Sequence, residues 1–127
     1  MLKAKTVLVI DPHRSDLIII QSELVRLGYI VVALNHPSQV EVVLEAMDRV
    51  DVIFLDLEMP SQDDYATLLT LRDMGITIPI IAYTVDVDEL QHIRRAGFDG
   101  LIAKPLDVDR FGDVLDEILA RKKGWLT

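Results

Sequence analysis

Four polar residues stand where this sequence could do chemistry: Asp11, Asp56, Thr84 and Lys104. Each closes or directly follows an apolar run, namely Val7-Leu8-Val9-Ile10, Val52-Ile53-Phe54-Leu55, Ile80-Ile81-Ala82-Tyr83 and Leu101-Ile102-Ala103. Two carboxylates, a hydroxyl and an ammonium gathered in one crevice would suit a divalent cation and a phosphoryl group. Mg²⁺ takes one or two carboxylates plus phosphate oxygens. A metal and a lysine neutralise the charge on a transferring phosphoryl group, and an aspartate can be the nucleophile that forms an acyl phosphate. Taken singly, each residue has a plainer reading. Asp11 before Pro12 suits a turn, Asp56 a solvated strand end, Thr84 an ordinary β-branched strand position, and Lys104 a solvated loop.

Whether the four meet depends on the elements that carry them. Short apolar runs rich in β-branched and aromatic residues read as strands buried on both faces. The strands are expected at 6–10, 29–34, 51–56, 78–84 and 99–103, with Pro79 at the start of its strand, because proline cannot donate to an interior ladder. Between them the apolar period becomes helical. Leu17, Ile20, Leu24 and Leu27 mark the first helix, over about 15–27. Val40, Val43, Leu44 and Met47 mark the second, with Ser38 and Glu41 as a possible capping box. A third helix runs over about 65–74, capped by Asp63-Asp64. A fourth carries Leu90 and Ile93, with Asp86 and Glu89 as a cap pair. The last carries Phe111, Val114, Leu115, Ile118 and Leu119, capped by Asp107, and its interior Gly112 costs roughly 1 kcal/mol relative to alanine. Gly28, Gly75 and Gly97 stand where helices stop. Strand–helix alternation five times over predicts right-handed crossovers and a parallel sheet. Every strand of such a sheet ends on one edge, where open α/β sheets bind their ligands.

Bulk properties narrow the class. The chain has 127 residues, half of them hydrophobic, a net charge of −8 and no cysteine. One domain over residues 1–123 accounts for the pattern, with 124–127 expected as a tail or the start of a linker. The acidic balance argues against nucleic acid as a ligand and fits a cation or a basic partner surface. Disulfides and thiolate chemistry are excluded. The apolar run at Val7–Ile10 is too short for a signal peptide or a membrane span, so a cytoplasmic location is expected.

The blocks Val7-Leu8-Val9-Ile10-Asp11, Leu55-Asp56-Leu57-Glu58-Met59-Pro60, Ile78 to Thr84 and Ala96 to Pro105, in this order and spacing, resemble the receiver domains of two-component response regulators. The likeness runs from Thr6 to Leu119. It implies a flavodoxin-like (βα)5 three-layer sandwich with strand order 2-1-3-4-5. It implies that Asp56 accepts a phosphoryl group from a phosphohistidine on a sensor histidine kinase or histidine phosphotransfer protein, and that the domain then regulates a downstream protein by contact. It further implies Mg²⁺ held by Asp11, Asp56 and the backbone carbonyl of Glu58, Thr84 and Lys104 on the phosphoryl group, and a cis bond before Pro105.

The sequence also departs from that family. Pro12 replaces the second acidic residue after the first strand, from which weak Mg²⁺ binding is expected. Leu101 replaces the aromatic switch residue, so the coupling of site to surface is expected to be weak or differently built. Asp64 stands for a glycine, and Val85 for a small residue that would leave Asp56 more open. These departures support a second reading, an interaction module that keeps the fold with weak or no phosphorylation. A small hydrolase using Asp56 as nucleophile fits less well, because Glu58 stands where such enzymes carry a second aspartate. A flavodoxin-type cofactor binder lacks its phosphate loop. On the first helix, Ile18 and Val25 form a second apolar stripe. It is either core in a deeply buried helix or a docking surface for the phosphodonor.

Overall fold

The computed structural model describes residues 4–58, 65–85, 87–120 and 124–126. Expected features at Met59-Pro60, the Asp63-Asp64 cap, Asp64 itself and the Asp86 cap lie outside these residues.

The apolar runs form strands β1 (Thr6–Ile10), β2 (Ile30–Leu34), β3 (Val52–Leu55), β4 (Ile80–Thr84) and β5 (Gly100–Ala103). They alternate with helices α1 (Arg14–Arg26), α2 (Val40–Ala46), α3 (Ala66–Asp73), α4 (Leu90–Ala96) and α5 (Val108–Leu119). All pairings are parallel, and the order β2-β1-β3-β4-β5 is the flavodoxin-like order. The sheet explains why its central strands read as unbroken apolar runs. Val7, Val9, Phe54, Tyr83 and Ile102 pack on one face against Ile20 and Leu24 of α1 and Phe111 and Leu115 of α5. Leu8, Ile10, Ile53, Leu55, Ala82 and Leu101 pack on the other against Val40 of α2, Leu68 and Leu71 of α3 and Ile93 of α4. With helices on both sides, alternate residues of a strand are all buried, and polar alternation disappears.

Two expectations are corrected, and one open alternative is decided. Residues 124–126 are not a free tail: they form β6 (Gly124–Leu126), parallel to β5 with Gly100 opposite Gly124 and Ile102 opposite Leu126. Three residues carry no readable period, and this strand exists because the outer edge of β5 offers unpaired backbone groups. The Ser38–Glu41 box does not form. Instead Pro37–Gln39 make a 3₁₀ turn in which the Ser38 N–H donates to His36 Nδ1 at 3.1 Å, and α2 starts one step later at Val40. The second stripe of α1 is not core, since Ile18 is 50% and Val25 58% exposed, with Ile19 beside them at 45%. The core-facing stripe of α1 is as read, with Leu17 and Leu27 partly buried against the cluster that holds Ile20 and Leu24.

Two glycines make opposite predictions. Gly97 ends α4 in the left-handed region at φ +107°, so Gly97→Ala is expected to destabilise by about 1–2 kcal/mol. Gly112 lies within α5, where an added Cβ would sit 3.6 Å from Leu27 Cδ2, an ordinary contact. Gly112→Ala is therefore expected to stabilise by about 0.5–1 kcal/mol. Urea unfolding of the two variants reads both signs.

Candidate functional site

The parallel sheet brings three of the four singled-out side chains into one ion cluster at its carboxyl edge. Asp11 follows β1, Asp56 follows β3, and Lys104 follows β5. They are 0%, 1% and 9% exposed, so neither Asp56 nor Lys104 is a solvated end residue. Backbone bonds fix the ends: Asp11 N–H donates to Leu34 O, Asp56 N–H to Ile10 O and Lys104 N–H to Thr84 O, each at 2.9 Å. Lys104 Nζ donates to Asp56 Oδ2 in a short contact, and lies 2.9 Å from Asp11 Oδ2 and 3.0 Å from Asp16 Oδ2. It also sits 4.7 Å from the centre of the Tyr83 ring. The fourth residue, Thr84, is buried at the end of β4, opposite Ala103 in register and so beside Lys104.

Electrostatics follow from this burial. Removing Asp11 from water raises its pKa above the ordinary carboxylate value, aided by the Asp56 charge. Lys104 and the His13 N–H act the other way without cancelling the rise. Burial works against the charge on Lys104, yet its bonds to Asp56, Asp11 and Asp16 outweigh that and hold its pKa above the usual lysine range. The Tyr83 phenol is pushed up by burial. Of Asp11's two oxygens, Oδ1 accepts the His13 N–H at 2.8 Å. The other, Oδ2, is buried and is paired with Lys104 Nζ at 2.9 Å.

His13 and Asp16 were not singled out by the sequence. Asp11, Pro12 and His13 form a tight turn closed by the His13 N–H on Asp11 Oδ1, so Asp11 serves as turn residue and site residue at once. Pro12 suits that turn because its φ is fixed. The turn swings His13 Nδ1 to 3.1 Å from both Asp11 Oδ1 and Asp56 Oδ2, while Nε2 lies 3.8 Å from Glu58 Oε2. Burial disfavours the imidazolium, but the Asp56 charge and the bonds to Asp11 and Asp56 more than offset this, and the pKa of His13 is raised. The signal in the sequence was the spacing: a histidine two residues after a strand-end aspartate is within reach of that aspartate's partners.

Glu58 sits at the rim, and its N–H donates to Asp56 Oδ1 at 2.5 Å. The Lys104–Pro105 bond is cis. Leu101 is fully buried among Ala82, Ile93 and Phe98. A divalent cation fits this donor set: Asp11 and Asp56 each bring a carboxylate oxygen to 3.1 Å from His13 Nδ1, and Asp11 Oδ2 has acceptor capacity beyond its contact with Lys104.

A parallel sheet of this order with an acidic, lysine-containing site at its carboxyl edge defines a class, and the comparisons agree. The profile of the response regulator receiver domain matches residues 7–116; the chain belongs to that family. It is 29% identical over 105 residues to the sensor histidine kinase RcsC of Escherichia coli, covering 81% of this chain but only 11% of that kinase. The chain thus spans about a tenth of the length of the curated relatives it matches first. Its fold is shared with the chemotaxis response regulator CheY4 of Vibrio cholerae (TM-score 0.79, 21% identity, 91% of this chain and 99% of that one). It is shared too with the receiver domain of the sensor histidine kinase PA1611 of Pseudomonas aeruginosa (TM-score 0.77, 24% identity, 93% and 99%).

The buried Asp11 charge makes a prediction. Because its folded pKa is raised, the stability it contributes is present at low pH and lost as pH rises through that pKa. Asp11→Asn, which keeps the shape without the charge, is expected to stabilise the fold at pH 7 by about 0.5–2 kcal/mol. The gain should shrink as the pH is lowered through the Asp11 titration, as read by urea midpoints across pH.

Proposed function

We propose that the domain is a phosphoacceptor receiver with Asp56 as the acceptor. The observation that carries this reading is the placement of the Asp56 carboxylate, buried, in contact with a buried lysine and beside a second acid. An Asp56 oxygen attacks the phosphorus of a donor phosphohistidine. A P–O bond forms, the P–N bond breaks, and the imidazole leaves with the bonding pair and takes up a proton. Later, water attacks the phosphorus of the acyl phosphate and releases inorganic phosphate and the Asp56 carboxylate. Lys104 holds a positive charge against the phosphoryl oxygens, and the Thr84 hydroxyl donates to one of them. Asp11, Asp56 and the Glu58 carbonyl would hold a divalent cation, which supplies further charge neutralisation when bound. Magnesium in the active-site cleft of the PA1611 receiver domain supports a cation at this edge.

The donor is a sensor histidine kinase or a histidine phosphotransfer protein. The exposed stripe of Ile18 and Val25, next to the site on α1, is its docking surface, and the output is a protein contact. The net charge of −8 speaks against nucleic acid. Among the described residues no helix is long and apolar enough to cross a membrane, in keeping with a cytoplasmic domain. A second reading, an interaction module without phosphorylation, is favoured by Pro12 and by Leu101, which has no ring to switch and is already buried.

Incubation with acetyl phosphate and Mg²⁺ followed by intact-mass measurement separates the two. The first reading predicts the gain of one phosphoryl group, absent in Asp56→Asn. No adduct at any Mg²⁺ concentration would establish the second. Ile18→Asp is expected to slow transfer from a phosphohistidine donor by about tenfold or more while labelling by acetyl phosphate stays unchanged; that fold-change corresponds to about 1.4 kcal/mol of docking energy. Equal loss of both would contradict the docking assignment.

A further inference from the structure

We infer that His13 is a cation ligand standing in for the carboxylate that Pro12 removes, and that it turns the site's preference from Mg²⁺ toward nitrogen-accepting divalent ions of the later first transition row. The inference rests on reading the Asp11–Asp56 cluster as a cation site and names which ion it takes. Asp11, His13 and Asp16 each bring a ligand atom within 4.8 Å of the others. His13 Nδ1 lies 3.1 Å from Asp11 Oδ1 and 3.1 Å from Asp56 Oδ2. Metal–ligand bonds of about 2.0–2.1 Å set neighbouring ligand atoms about 2.8–3.4 Å apart at octahedral or tetrahedral angles. His13 Nδ1 is thus already spaced from each of these two carboxylate oxygens as one corner of a coordination sphere is from the next.

Three further observations point the same way. The carboxylates of Asp11, Asp16, Asp56 and Glu58 gather around Lys104 and His13, so anionic charge exceeds the one fixed cation. Asp11 Oδ2, fully buried, meets Lys104 Nζ at 2.9 Å and keeps acceptor capacity beyond that contact. The ring nitrogen of His13 that would not bind metal, Nε2, faces Glu58 Oε2 at 3.8 Å, and a carboxylate at that nitrogen is how metal-bound imidazoles are commonly oriented. Donor chemistry sets the preference. Mg²⁺ is a hard ion that takes oxygen ligands, whereas imidazole suits ions such as Co²⁺, Ni²⁺ and Zn²⁺, whose affinity for nitrogen sites exceeds that of Mn²⁺. In this reading Pro12 both removes a magnesium ligand and supplies the turn that delivers its replacement.

Calorimetric titration of the purified chain with Co²⁺ and with Mg²⁺ tests this, using the wild type, His13→Ala, His36→Ala and Asp11→Asn. Co²⁺ is expected to bind the wild type at least about tenfold more tightly than Mg²⁺. His13→Ala should weaken Co²⁺ about tenfold or more and Mg²⁺ less than about threefold. His36→Ala, on an exposed loop, should change neither. The imidazole ¹⁵N resonances of His13 should shift on adding Zn²⁺ and not on adding Mg²⁺. His13 is 42% exposed, and circular dichroism checks that its variant folds. Equal affinities for the two ions, an equal effect of His13→Ala on both, or no effect on Co²⁺ would overturn the inference while leaving the cation site standing. Asp11→Asn leaving both ions unaffected would instead remove the cation-site reading on which it depends.

Discussion

The site depends on one buried ammonium. Lys104 reaches from the end of β5 across the sheet edge to Asp56 after β3, Asp11 after β1 and Asp16 in α1. Charges taken out of water cost several kcal/mol each unless paired, so the Lys104 ammonium depends on the carboxylates gathered around it. The cluster thereby fixes the relative positions of three strand ends. It also leaves the carboxylates short of positive charge, which makes the edge receptive to a cation and to a phosphoryl group that Lys104 can hold.

That arrangement sits on a scaffold that needs no polar help. The faces of the sheet are filled by apolar side chains, and Phe54 of β3 meets Phe111 of α5 at 5.9 Å between ring centres. Away from the site, Arg72 of α3 ties the start of β4 to the turn before β5. It donates to Ile76 O, Ile78 O and Gly97 O and pairs with Asp99, whose carboxylate also accepts the Ile80 N–H. The rigid core and this network hold the strands in register, so the strand ends carry their polar groups to fixed points. The carboxyl edge can then accommodate unfavourable charge burial, as a site selected for reactivity rather than stability would.

Much of this was legible in the sequence for a physical reason. A parallel sheet covered on both sides leaves a plain mark, apolar runs ending at a common edge, and Asp11, Asp56 and Lys104 could be placed together from that mark alone. The stops at Gly97 and the cap at Asp107, whose carboxylate accepts the Asp109 N–H, were likewise local chemistry. What escaped depends on tertiary geometry. The strand at 124–126 forms only because an edge is there to receive it. The place of His13 depends on the turn that Pro12 favours, which carries the next side chain back to Asp11 and Asp56. Asp16, in the first turn of α1, meets Lys104 only across the folded sheet edge.

The central claim, that Asp56 is the residue carrying the phosphoryl group, is tested most directly by trapping the acyl phosphate chemically. Treatment with a small phosphodonor and then borohydride reduces an aspartyl phosphate to homoserine, which peptide mass mapping locates. The account predicts homoserine at position 56 and at neither position 11 nor position 16. Reduction mapped to Asp11 or Asp16, or phosphate recovered only on His13, would contradict it.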